Sequence, residues 1–228
     1  MPAKPPIPFR GFDDRTDVPA YQHGLLPHWR QQHCTCFVTF RQNDALPAAV
    51  VREIDYDRQQ WLKHRGIDPA DENWRSALAR LPGNEQRIYE RMIGTKLNRE
   101  LDAGYGSCRL RKNELANVVA TALEHFHGQR VLTGDYVVMP NHVHVLMRPL
   151  PNYELEDILH SIKSFTAKEI NRLSGYDGQF WQRQSHDHIV RDFDQLEAFR
   201  KYIRANPEGA RLKEGEFLYS SAEYVPDE

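Results

Sequence analysis

Two histidines one residue apart, His142 and His144, lie in the apolar run Tyr136-Val-Val-Met-Pro-Asn-His-Val-His-Val-Leu-Met-Arg148. The run reads as a strand, in which successive side chains alternate between faces. His142 and His144 then point the same way, while Val143 and Val145 enter the opposite layer. Two neutral imidazoles side by side can hold one divalent cation. A half-buried strand whose histidines only hydrogen-bond or meet water has the same pattern, so the pair needs partners. The segment Phe199-Arg-Lys-Tyr-Ile-Arg-Ala-Asn-Pro207 offers two. Tyr202 and Asn206 are four apart and share a helix face, which carries a phenol able to act as nucleophile and an amide oxygen able to act as third ligand. Asn206 precedes a proline and is expected at the helix end, with its side chain free to turn toward a neighbouring site. Taken alone, the pair is also an ordinary helix C-terminus that packs and caps.

The elements that must position these groups follow from periodicity. Residues 1–33, rich in Pro, Arg, Asp and His, read as an N-terminal arm across the domain surface, with Arg10, Arg15 and His28 available to a ligand. Cys34 to Arg41 alternates as a first strand. Residues 47–103 carry Leu, Ile, Trp and Tyr at helical spacing, interrupted at Pro69 and Pro82-Gly83, and read as a helical insertion with Trp61, Trp74 and Tyr89 in its core. A helix capped by Asn113 and ended by Gly128 follows. Strands at 130–138 and 142–148 are joined by the short connection Met139-Pro140-Asn141. A long amphipathic helix at 154–173, a short strand at 186–191 and a helix from Gln195 to Asn206, stopped by Pro207, complete the order. The expected class is α+β, a ferredoxin-like antiparallel sheet with covering helices. Residues 34–212 form one domain, and 213–228 form a C-terminal tail.

Composition bounds the function. The 228 residues carry a formal net charge of -2, so a nucleic-acid partner must be met by a local basic surface rather than by the overall field. Between Tyr105 and Arg211 basic and acidic residues nearly balance, and any such surface depends on how the fold sorts them. Cys34, Cys36 and Cys108 make an odd count without metal-finger spacing, as in a reducing compartment. The N-terminus has no apolar signal region and no long apolar run occurs, so the expected location is the cytoplasm, with no membrane partner.

Taken as a set, these segments resemble the REP-associated tyrosine transposases, within the HUH single-tyrosine transposases. The resemblance rests on residues 136–146, on Ile162-Lys-Ser-Phe-Thr-Ala-Lys-Glu-Ile-Asn171 and Phe180-Trp-Gln, and on Asp187-His-Ile-Val-Arg191 and Tyr202-Ile-Arg-Ala-Asn-Pro207. Leu26-Pro-His28 and Val38-Thr-Phe-Arg41 add to it, and the helical insertion is its least diagnostic part. It implies that His142, His144 and Asn206 ligate the metal and that Tyr202 is the nucleophile. It also implies a DNA hairpin with flanking single strand, of repetitive-palindrome type, as substrate, and a monomer rather than a dimer that exchanges the tyrosine helix. Mixed imidazole and amide-oxygen ligands suit Mg2+ or Mn2+, although histidine alone would equally accept Zn2+. Arg41, Arg109, Arg111, Lys112, Lys163, Lys168, Arg172, Arg183, Arg200, Lys201 and Arg204 are candidates for a phosphate track, with Trp181 or Phe180 for base stacking. His186-Asp-His188, a second His-x-His in polar flanks, matches a family block that does not supply the metal ligands. The competing readings are a domesticated protein that binds hairpins without cutting, and a nucleotide phosphodiesterase of another His-x-His family.

Overall fold

The computed structural model of the chain describes residues 5–13, 20–21, 28–29 and 31–227. Arg15, Leu26 and Pro27 of the arm lie outside the described residues. Three short strands, β1 (Ile7–Phe9), β2 (Ala20–Tyr21) and β3 (His28–Trp29), precede β4 (Cys36–Arg41). Helices α1 (Ala48–Lys63), α2 (Trp74–Ala79) and α3 (Gly83–Asp102) follow, then α4 (Asn113–His125) and strands β5 (Val131–Val138) and β6 (His142–Pro149). The chain closes with α5 (Leu155–Ser174), β7 (His186–Ile189), α6 (Phe193–Gly209), β8 (Leu218–Ser220) and β9 (Tyr224–Pro226).

Alternation along β4, β5 and β6 builds a two-sided antiparallel sheet in the order β7-β4-β6-β5-β8. Cys36, Val38 and Phe40 of β4 and Val143, Val145 and Met147 of β6 share a core with the apolar stripes of α4 and α5. Phe37 of β4 and Leu146 of β6 face the other way, onto Leu196 and Ile203 of α6. The fold is thus α+β, with an antiparallel sheet covered by helices on both faces. The segment after β4 has a separate core, in which Leu62, Leu78, Tyr89 and Leu101 are fully buried.

Three local readings change. Asn113 is the first residue of α4, not its cap; Lys112 takes the cap position and no side chain caps that end. Pro207 does not stop α6, which runs on to Gly209. So close to the terminus the proline deletes only one backbone bond, and the Ala210 N–H still reaches the Asn206 carbonyl at 3.0 Å. Residues 213–228, expected as a tail, supply β8 at the sheet edge and β9 beside β1. Strands of three residues are too short to show a period, which is why they escaped the sequence reading. Among the described residues no helix is long and apolar enough to cross a membrane.

Phe37 is the contact on which α6 seats. Its ring stacks on Phe199 at 4.3 Å between centroids and on His144 at 5.3 Å, and it meets Tyr202 edge-on at 6.0 Å. Phe37→Ala is expected to destabilise the fold by about 3–5 kcal/mol, read as a lowered urea midpoint, with Phe37→Leu recovering most of the loss.

Candidate metal and tyrosine centre

The β6 pleat puts His142 and His144 on the α6 side of the sheet, with their Nε2 atoms 3.0 Å apart. Their outer nitrogens are held by neighbours. Asn141 donates through Nδ2 to the carbonyls of Leu101 and Tyr105, at 3.3 and 3.0 Å, so its Oδ1 is left to face His142 Nδ1 at 2.7 Å. An amide oxygen only accepts, so His142 carries its proton on Nδ1 and a lone pair on Nε2. His144 Nδ1 lies 2.8 Å from Thr39 Oγ1, its direct cross-strand neighbour on β4. A hydroxyl both donates and accepts, so Thr39 serves either tautomer of His144. Without an ion, His144 Nε2–H bonds to the His142 lone pair; with one, both lone pairs can turn to it.

Electrostatics keep the pair neutral. Burial pushes the His142 pKa down to about 3, opposed by a contact to the Asn206 amide. His144 is held well below its ordinary value by burial, with the charged forms of His142 and His186 adding to the effect. At neutral pH both rings are therefore ligands rather than cations.

Tyr202 and Asn206 reach this point from α6. Tyr202 Oη is 3.3 Å from His144 Nε2, and burial chiefly, with the Asp102 carboxylate second, raises the phenol pKa. Asn206 is buried, donates through Nδ2 to Asp102 Oδ1 at 2.9 Å, and leaves its Oδ1 buried without a hydrogen-bond partner. Asp102, the last residue of α3, completes the cluster: its carboxylate lies 3.7 Å from His142 Nε2, and one ligand atom each from Asp102, His142 and His144 falls within a 4.8 Å span. Burial raises the Asp102 pKa to about 6, against the opposing Asn206 hydrogen bond. Two imidazole nitrogens, a carboxylate and an orphaned amide oxygen aimed inward are a donor set suited to a divalent cation. The sequence reading missed Asp102, Asn141 and Thr39. Thr39 follows from pairing β4 with β6 and Asn141 from its place in the turn, but nothing local marks Asp102.

The expected basic track is dispersed. Arg41 sits opposite His142 in register. Lys163 donates to the Arg183 carbonyl at 2.7 Å and Ser185 Oγ at 3.2 Å; burial, helped by Arg41, pushes its pKa down to about 8. Arg109 lies over the Tyr176 ring at 3.5 Å. Arg111 and Arg172 are engaged by Glu216 and Glu169, Arg200 by Asp135 and Glu197, and Arg204 turns to Tyr219. Lys112, Lys168 and Lys201 are exposed. Trp181 is not a stacking platform: it is 4% exposed, donates Nε1–H to Thr166 and packs edge-on against Phe40. Phe180 is buried beside it.

An antiparallel sheet that presents two neutral imidazoles to a phenol on the covering helix defines an α+β protein with a candidate metal and tyrosine centre. Residues 109–206, which include both histidines, Tyr202 and Asn206 but not Asp102, match the family described as "Transposase IS200 like". A solved structure described as "Structure of the REP associates tyrosine transposase bound to a REP hairpin" is similar at a TM-score of 0.39 and 14% identity, over 79% of this chain and 70% of that one. A comparison with curated proteins finds no match.

If the Asn141 amide sets the His142 tautomer, Asn141→Ala is expected to weaken Mn2+ binding by about 10–100-fold in calorimetric titration. Thr39→Val, which removes the hydroxyl beside His144, is expected to fall in the same range.

Proposed function

We propose that the chain is a metal-dependent single-strand DNA endonuclease and strand transferase acting through Tyr202. The observation that carries this is the approach of the Tyr202 phenol to 3.3 Å from a ring nitrogen of the histidine pair, from an element 58 residues away in the chain. The family match supports a DNA-processing role. His142, His144, Asp102 and Asn206 would hold Mg2+ or Mn2+, which when bound supplies charge stabilisation at the scissile phosphate.

The chain's own residues account for the rest. Tyr202 Oη attacks phosphorus, forming a 5'-phosphotyrosine as the bond to the 3'-oxygen breaks. The phenol gives up one proton and the leaving 3'-oxygen gains one, so the step is proton-neutral. Because the ester conserves the phosphodiester bond energy, a 3'-hydroxyl reverses the step without ATP. The raised phenol pKa keeps Tyr202 protonated in the resting protein, so its proton must be removed during attack. Phe37, stacked on Phe199, meets the Tyr202 ring edge-on and holds it in place.

The motifs at 136–146 and 202–207 support hairpin DNA with a flanking single strand, of repetitive-palindrome type, as substrate, and the protein is proposed to act as a cytoplasmic monomer. Incubating end-labelled hairpin DNA with protein and Mn2+ is expected to give a covalent adduct, resolved on a denaturing gel. That adduct should disappear with Tyr202→Phe or EDTA and drop at least about 100-fold with His144→Ala. Binding without any adduct would instead favour a protein that organises hairpins, and an adduct surviving in Tyr202→Phe would sink the assignment.

A further inference from the structure

Helix α3 does more than end at the centre. Arg87, Arg91, Gly94, Asn98 and Asp102 recur at spacings of four, three, four and four, which places them along one face over about 22 Å. That face borders two adjoining grooves, one against β7 and the start of α6, the other against Phe199 and Tyr202; Thr95, Asn98, Ala198 and Phe199 line both. The first groove holds Arg87 and the second reaches the Tyr202 phenol.

Charge along these grooves is sorted although the whole chain is slightly acidic. Arg87, Arg91 and Arg191 line the far groove and Arg211 and Arg99, the latter paired with Glu100, the near one, with Glu90 and Asp102 the acidic residues of the two linings. Glu90 is turned inward, 12% exposed and 3.4 Å from His188, and Asp102 belongs to the centre itself. Arg87 and Arg91 are exposed and form no ion pair among the described residues. Between the two grooves, Asn98 Oδ1 is buried with no hydrogen-bond partner, an acceptor unused by the fold.

We infer that the helical insertion is a nucleic-acid-binding element: the α3–α6 groove takes an unpaired DNA strand, with its phosphates on Arg87, Arg91 and Arg191. Two exposed guanidinium groups one turn apart on α3, with the half-buried Arg191 across the groove, fit a phosphate backbone. The strand that leads on to the Tyr202 phenol is the one proposed to be cut there, which is unpaired, so single strand is favoured over duplex. The inference rests on the proposed role of Tyr202 for where the strand leads and for its being unpaired.

The test is fluorescence anisotropy with labelled dC12, dT12 and a blunt 12-base-pair duplex, on the full chain in EDTA, where no strand is cut. Failure of the cleavage reading therefore leaves this measurement intact, and failure here leaves the adduct assay intact. Arg87→Ala/Arg91→Ala is expected to weaken single-strand binding on the order of tenfold and to reduce the slope of log affinity against log salt by about 1.4, the share of two phosphates. Arg52→Ala, on the exposed face of α1 outside both grooves, should bind as the parent does. Circular dichroism melting of each variant separates lost contacts from lost fold. Unchanged affinity and slope in the double variant, an equal loss on the blunt duplex, or equal displacement of dC12 by polyglutamate would overturn the inference.

Discussion

One side-chain amide, that of Asn141, joins the parts of this molecule that matter. Its Nδ2 bonds two backbone carbonyls at the end of the helical insertion, and its Oδ1 orients the first histidine of β6. The docking of the insertion and the tautomer of His142 are therefore one interaction. Because the group is buried, neither half can be replaced by water at low cost, and each hydrogen bond enforces the other. Asp102 enters the cluster from the same turn that Asn141 fastens, one residue beyond Leu101.

Burial has opposite consequences on the two sides of the centre. It strips the imidazoles of their protons, which suits ligands, and it raises the pKa of Asp102 and of the Tyr202 phenol, which suits neither an anionic ligand nor a nucleophile. A cation placed among them reverses the second pair of shifts while leaving the first in place. The arrangement is electrostatically incomplete by itself, and the orphaned Asn206 oxygen shows the same thing in hydrogen-bond terms. A purely structural cluster of this depth would be expected to satisfy its own acceptors.

The tyrosine helix is positioned by apolar contact more than by polar bonds. Phe37 lies on the histidine side of the sheet and stacks between His144 and Phe199, so the distance from strand to helix is set by one ring thickness. Asp192 caps the start of α6 and Pro207 sits harmlessly in its last turn, which lets Asn206 stay helical and buried one turn beyond Tyr202. Placed on a regular helix, the phenol and the amide keep a fixed relation to each other, and only the helix as a body needs to be docked.

How much of this could be read from the chain depends on the range of the interactions. Alternation in β4 and β6, and the four-residue spacing of Tyr202 and Asn206, are local consequences of strand pleat and helix pitch, so the paired faces, the α+β class and a His, His, Tyr, Asn set were legible in the residues alone. Resemblance of motifs added the expectation of a common site. Only the tertiary structure decided that Asp102 joins that set, that Trp181 is core rather than surface, and that the last residues pair into sheets. Each of these depends on which surfaces pack together far apart in sequence. Burial and charge sorting at such contacts are properties of the assembled chain and leave no period in the sequence.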